Sequence, residues 1–156
     1  VTDGDLDAVV LARAGLARLD RLDVVSQEIG VDLMLPAPAQ GALAVECRDD
    51  DVVVLEALRR LDDAPTRAAV TAERALLAEL EAGCSAPVGA HATVTGSGEE
   101  LLVHLTGTVV SLDGRTRVRN SVTGTAGDAE AVGRQLARDL LAAGAPGLRP
   151  VGGSAS

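Results

Sequence analysis

The sequence predicts an α+β fold: a three-stranded antiparallel sheet covered on one face by helices, preceded by portions of other layers. Three observations carry this. Alternating apolar and polar residues recur in three stretches between Val88 and Val122. Segments of helical periodicity stand before and after them. Residues 1–49 form no complete layer of their own. Strands grouped together and flanked by helices belong to the α+β class, in which a sheet buries one face under helices.

Taken in order, residues 6–19 (LDAVVLARAGLARL) are apolar on nearly every side, with Asp7, Arg13 and Arg18 as their charges. This predicts a helix buried in a larger body, its start capped by Asp3 or Asp5. Residues 20–41 hold Gly30, Pro36, Pro38 and Gly41 and read as a connector. Residues 42–47 (ALAVEC) predict a short strand. Asp49, Asp50 and Asp51 place negative charge at the positive end of a helix over about 51–62. Pro65 suits the first turn of a second helix over about 65–82. Its apolar stripe is Ala69, Ala72, Leu76 and Leu80, with Val70 and Leu77 beside it, and Gly83 is expected to end it in the left-handed region. The strands follow, separated by turn signals at Gly96-Ser97-Gly98 and Asp113-Gly114. A last helix over about 128–143 presents Val132, Leu136 and Leu140 on one face and stops at Gly144 and Pro146. The expected organisation is 1–30, 31–49, a main domain at 50–145, and a Gly/Ser-rich tail at 146–156.

Composition narrows the function. Of 156 residues 47 % are apolar, which predicts a globular chain. There is no Phe, Tyr or Trp, so stacking on bases is disfavoured, and a net charge of −9 offers no basic patch. Neither nucleic acid nor membrane is an expected partner: no apolar run reaches the roughly 18 residues of a span. Cys47 and Cys84 belong to no CxxC pair, which argues against zinc. Free thiols and no secretion signal predict a cytoplasmic protein. The chain starts at Val1 and enters an apolar pattern almost at once, which predicts a piece of a longer protein.

Cys84, in Gly83-Cys84-Ser85-Ala86-Pro87, stands on a loop after a predicted helix C-terminus. The helix field there raises a thiol pKa, so it is not placed as a turnover nucleophile, and a lone cysteine is most often a small buried hydrophobe. Pro36–Ala42 has the rigidity to bring backbone close to a ligand, with Gln40 as donor and acceptor, and also reads as a rigid crossover. Arg18 complements a helix C-terminus. Cys47 reads as core, Glu73-Arg74 as a surface or domain-contact pair, and His91 and His104 carry no assigned role.

Three segments in order change this balance: Leu6 to Leu19, Leu35-Pro36-Ala37-Pro38-Ala39-Gln40-Gly41-Ala42 on to Arg48, and Thr71-Ala72-Glu73-Arg74-Ala75 through Leu80 to Gly89. Together they resemble the porphobilinogen deaminase (hydroxymethylbilane synthase) family over about residues 5–145. The resemblance implies that 50–145 is the family's third domain, which attaches the cofactor. Residues 1–30 correspond to the end of the α/β domain two, and 31–49 to the strand returning through the α/β domain one. It also implies a transferase of tetrapyrrole and haem biosynthesis. That enzyme joins four porphobilinogen units into hydroxymethylbilane, releasing ammonia, on a dipyrromethane primer held by a thioether to Cys84. Arg18 then corresponds to a residue that binds substrate carboxylates, Leu11 and Ala12 to residues lining the same cleft, and Gln40 to a residue near the pyrrole rings.

The family's catalytic aspartate and the lysine beside it match no position here, so no residue of this chain is expected to do the acid–base work. A −9 chain with Arg18 as its one cleft cation is not expected to hold a polyanionic oligopyrrole, so the chain alone is predicted to be inactive. The intact enzyme is expected to be a monomer, and the chain by itself to self-associate through residues 6–19. The other reading is a stand-alone, non-catalytic binding or interaction module with the same fold.

Overall fold

The computed structural model describes residues 4–81 and 87–145, and the chain divides into two compact units, Val1–Leu33 and Met34–Ser156. Among its described residues the first unit contains the short helix α1 (Arg13–Arg18) and a 3-10 turn, Leu22–Val24. The second contains α2 (Val52–Leu58), α3 (Ala64–Glu79), the strands β1 (Val88–Thr95), β2 (Leu102–Val110) and β3 (Arg117–Thr125), and α4 (Ala129–Ala142). The strands form an antiparallel sheet in the order β1-β2-β3.

In the second unit the helix starts follow the chemistry of their first residues. Asp51 accepts from the Val54 N–H at 3.1 Å and opens α2, which continues as a 3-10 turn, Arg59–Leu61. Asp63 accepts from the Thr66 N–H at 2.8 Å and opens α3, with Pro65 in the first turn. The Thr66 hydroxyl, and then its backbone N–H, hold the Asp63 carboxyl below the usual carboxylate range.

The core lies between the sheet and the α3/α4 pair. The alternation within the strands sends Ala90, Ala92, Val103, Leu105 and Val109 inward, where they meet Ala72, Leu76 and Leu80 of the α3 side and Val132, Leu136 and Leu140 of α4. With no aromatic residue, leucines fill the volume and small residues set the spacing. Gly133 is the clearest case. A Cβ there would stand 2.2 Å from the Ala72 carbonyl and 2.7 Å from the Ala75 Cβ, so α3 and α4 cross at this distance because the side chain is missing.

Four sequence expectations give way. The helix over 6–19 reduces to Arg13–Arg18, and its N-cap is Ala12 with no side-chain cap; Asp5 does not serve, and Asp3 lies outside the described residues. Leu6, Val9, Val10 and Leu11 are more than half exposed instead of buried. Periodicity cannot separate a buried helix from a buried strand in so apolar a run, and the β-branched pair Val9-Val10 weakens the helix. Residues 42–47 form no strand, and Cys47 is a half-buried free thiol rather than a core residue. α3 ends at Glu79, and Glu81, with φ of 50°, takes the left-handed position expected of Gly83, which lies outside the described residues. Within β3 the exposed Asn120 stands between the half-buried Val118 and Val122 and interrupts their row.

Gly133→Ala is expected to destabilise the second unit by about 1–3 kcal/mol through overpacking. Urea unfolding should show a lower midpoint at unchanged m. At Gly15, where nothing lies within 4 Å of an added Cβ, the same change should instead stabilise slightly.

Candidate functional site

The predicted site residues fall in both units. In Val1–Leu33, Leu11 and Ala12 lead directly into α1, and Arg18 closes its last turn. The end of this helix is sharply defined. Asp20 takes the left-handed conformation at φ of 55°, the Asp20 N–H donates to the Ala17 carbonyl at 3.1 Å, and the Arg21 N–H donates to the Leu16 carbonyl at 2.9 Å. This Schellman arrangement satisfies two carbonyls of the last turn. Arg18 is exposed, and among the described residues no carboxylate pairs with its guanidinium, whereas the neighbouring Arg13 is held by Glu28 at 2.6 Å. Arg18 is therefore a positioned cation with its fork of donors open to an anion.

In Met34–Ser156 the Pro36–Gly41 segment lies along the open edge of β1. Leu35 is buried, and a Cβ on Gly89 would meet its Cβ at 2.9 Å and the Thr108 Cγ2 at 3.2 Å, so the glycine makes room for this segment. The Pro36 carbonyl accepts from the Ala90 N–H at 2.9 Å. Glu73 of α3 then takes the next outward N–H of the edge. Its Oε1 accepts from Ala92 at 2.7 Å and its Oε2 from Ala39 at 2.5 Å. Ala39 sits in the left-handed region at φ of 62°, and Gln40 follows it, exposed, with its side-chain amide bonded to no described group.

Cys84 lies outside the described residues. The described residues on either side of it are Glu81 and Pro87. Glu81 turns the chain off α3 with its N–H on the Ala78 carbonyl at 3.0 Å, and the Pro87 carbonyl accepts from the Val110 N–H at 3.0 Å where β1 begins. Gln40, Glu81 and Pro87 belong to one compact unit.

Glu73 is the residue that sequence reasoning missed. It reads with Arg74 as a surface or domain-contact pair; Glu73 is 8 % exposed and Arg74 is exposed, so they do not share one surface. The signal was present: Glu73 stands four residues after Ala69 and three before Leu76, on the apolar stripe itself. A carboxylate on a buried stripe needs donors, and here two backbone N–H groups supply them. His104, given no role, bonds through Nδ1 to the Thr123 Oγ1 at 2.8 Å on the exposed side of the sheet. No described helix is long and apolar enough to cross a membrane.

Comparison with known proteins identifies two matching family models. Residues 1–56 match the dipyrromethane cofactor binding domain of porphobilinogen deaminase, and residues 67–142 match its C-terminal domain. The first match contains Leu11, Ala12, Arg18 and Gln40; the second contains Glu73 and Cys84. A porphobilinogen deaminase of Nocardia farcinica is 57 % identical over 152 residues, covering 93 % of this chain and 43 % of the relative. Those of Mycobacterium ulcerans and Mycobacterium tuberculosis are 57 % and 56 % identical over 150 residues, covering 93 % of this chain and 48 % of each relative. The chain thus spans less than half the length of these relatives.

Glu73→Ala should leave the Ala39 and Ala92 N–H groups without an acceptor, at a cost of about 1–3 kcal/mol for each group kept from water. Equilibrium urea unfolding reads the loss, and amide exchange should quicken first at Ala39 and Ala92.

Proposed function

The chain belongs to the porphobilinogen deaminase family, and we propose that it supplies the primer-holding part of the transferase that joins four porphobilinogen units into hydroxymethylbilane with release of ammonia. The observation that carries this reading is the match of residues 1–56 to a dipyrromethane cofactor binding domain, followed by a C-terminal domain match that contains the Cys84 run.

Arg18, a cation with no described partner, suits the acetate and propionate groups of the porphobilinogen substrate. Gln40 and Cys84 fit a dipyrromethane. Its pyrrole N–H groups need acceptors, and Gln40 presents an amide that no described group binds, on a clamped loop. Cys84 is the thiol to which it attaches. When bound, the group supplies a tethered end on which further pyrrole units are joined. Cys84 would hold the group through a thioether between its soft sulfur and a pyrrole methylene, and because a thioether is not hydrolysed it would anchor rather than turn over. Formation from a free thiol suits the reducing cytoplasm, where the protein is expected to act.

Leu11 and Ala12 present apolar surface next to the helix that carries Arg18, which suits the ring carbons. The acid–base step is assigned to no residue of this chain. The chain tested alone is expected to be inactive.

In the full-length enzyme, intact-mass measurement should show one added dipyrromethane, and Cys84→Ser should lack it. A Cys84→Ser enzyme that is unmodified and fully active overturns the reading. Arg18→Leu should raise KM for porphobilinogen about tenfold with a smaller change in kcat, as expected for the loss of one charge-assisted contact.

A further inference from the structure

The geometry points to Glu73 as the positioning residue for Gln40, through a two-pronged carboxylate clamp that fixes the Pro36–Gly41 loop in the frame of α3 and β1. This rests on the assignment of Gln40 to the pyrrole-holding site.

Glu73 is more than nine-tenths buried, and both its oxygens are used: Oε1 on the Ala92 N–H at 2.7 Å, Oε2 on the Ala39 N–H at 2.5 Å. The first bond belongs to the domain, closing a donor on the open sheet edge. The second reaches a residue 34 positions earlier in the chain, immediately before Gln40. Ala39 is an alanine in the left-handed region, at φ of 62°, a conformation that costs a non-glycine residue energy and so needs an external hold. Beyond its own turn, Gln40 N–H on the Ala37 carbonyl at 3.2 Å, the loop is held to the sheet by the Pro36 carbonyl and by Glu73. Glu73 is the hold adjacent to Gln40.

The chemistry requires a carboxylate. Both partners are N–H donors, and a glutamine has one acceptor oxygen, so its NH2 would face one of them. An aspartate is one methylene shorter and cannot span both. Glu73 and Gln40 share one compact unit with Glu81 and Pro87, the described residues on either side of Cys84 in the sequence.

The test is a double-mutant cycle in the full-length, primer-bearing enzyme with Glu73→Gln, Gln40→Ala and the pair. Intact mass should show the primer retained in all three. Each single variant should lower kcat/KM about tenfold, and the pair about tenfold rather than a hundredfold, because both changes remove one function. Amide exchange at Gln40 should quicken in Glu73→Gln. If Glu73→Gln does not fold, Glu73→Asp takes its place in the cycle with the same expectation. A multiplicative loss in the pair assigns Glu73 a separate, structural role and overturns the inference. So does a Glu73→Gln enzyme with unchanged kinetics beside an impaired Gln40→Ala. Wild-type kinetics in Gln40→Ala removes the assignment of Gln40 itself and the inference with it, and that result is distinct from a failure of Glu73 alone.

Discussion

A buried carboxylate with two backbone donors organises the part of this protein that bears on its site. Glu73 projects from α3 between the edge of β1 and the Pro36–Gly41 loop, and satisfies one N–H of each. Without it the edge of β1 keeps an unpaired donor under cover, and the loop loses its attachment next to Gln40. A hydrogen bond to a charged group is worth more than a neutral one, and leaving its partners unsatisfied costs more still. The fold tolerates a buried charge here because both oxygens are used.

The body behind this clamp is built without aromatic residues. Leu76, Leu105, Leu136 and Leu140 are fully buried, and Leu76, Leu136 and Leu140 pack closely because a glycine stands opposite them. Gly107 faces Leu76, Leu136 and Leu140, where a Cβ would approach each to between 2.9 and 3.3 Å. Gly133 lets α4 lie against the backbone of α3. A core of branched aliphatic residues and small spacers gives a rigid α3, and a rigid α3 makes the Glu73 clamp a fixed reference rather than a flexible tether.

The chemistry proposed divides between a covalent hold and non-covalent ones. In that proposal Cys84 makes one lasting bond and needs little activation. Arg18 has the opposite requirement: a cation free of protein partners, kept at the end of a short helix that the Asp20 turn terminates. Gln40 shares a compact unit with Glu81 and Pro87, which flank Cys84 in the sequence, while Leu11, Ala12 and Arg18 belong to the other.

By itself the sequence determined what depends on short-range pattern. The three strands, their antiparallel order, the two turns between them and the helices α3 and α4 follow from periods of two and 3.6 with caps at Asp63 and Gly144, and the main core residues follow with them. The family, and with it Cys84, Gln40 and Arg18 as candidates, was legible in three contiguous motifs. Tertiary structure decided what depends on neighbours. Residues 6–12 and 42–47 carry patterns that only a partner layer can turn into helix or strand, and no described strand pairs with them. The role of Glu73 was hidden for the same reason. Its position on the α3 stripe marked it as facing inward, but its donors, Ala39 and Ala92, come from segments 34 residues before it and 19 residues after it, and only the folded chain brings them to one carboxylate.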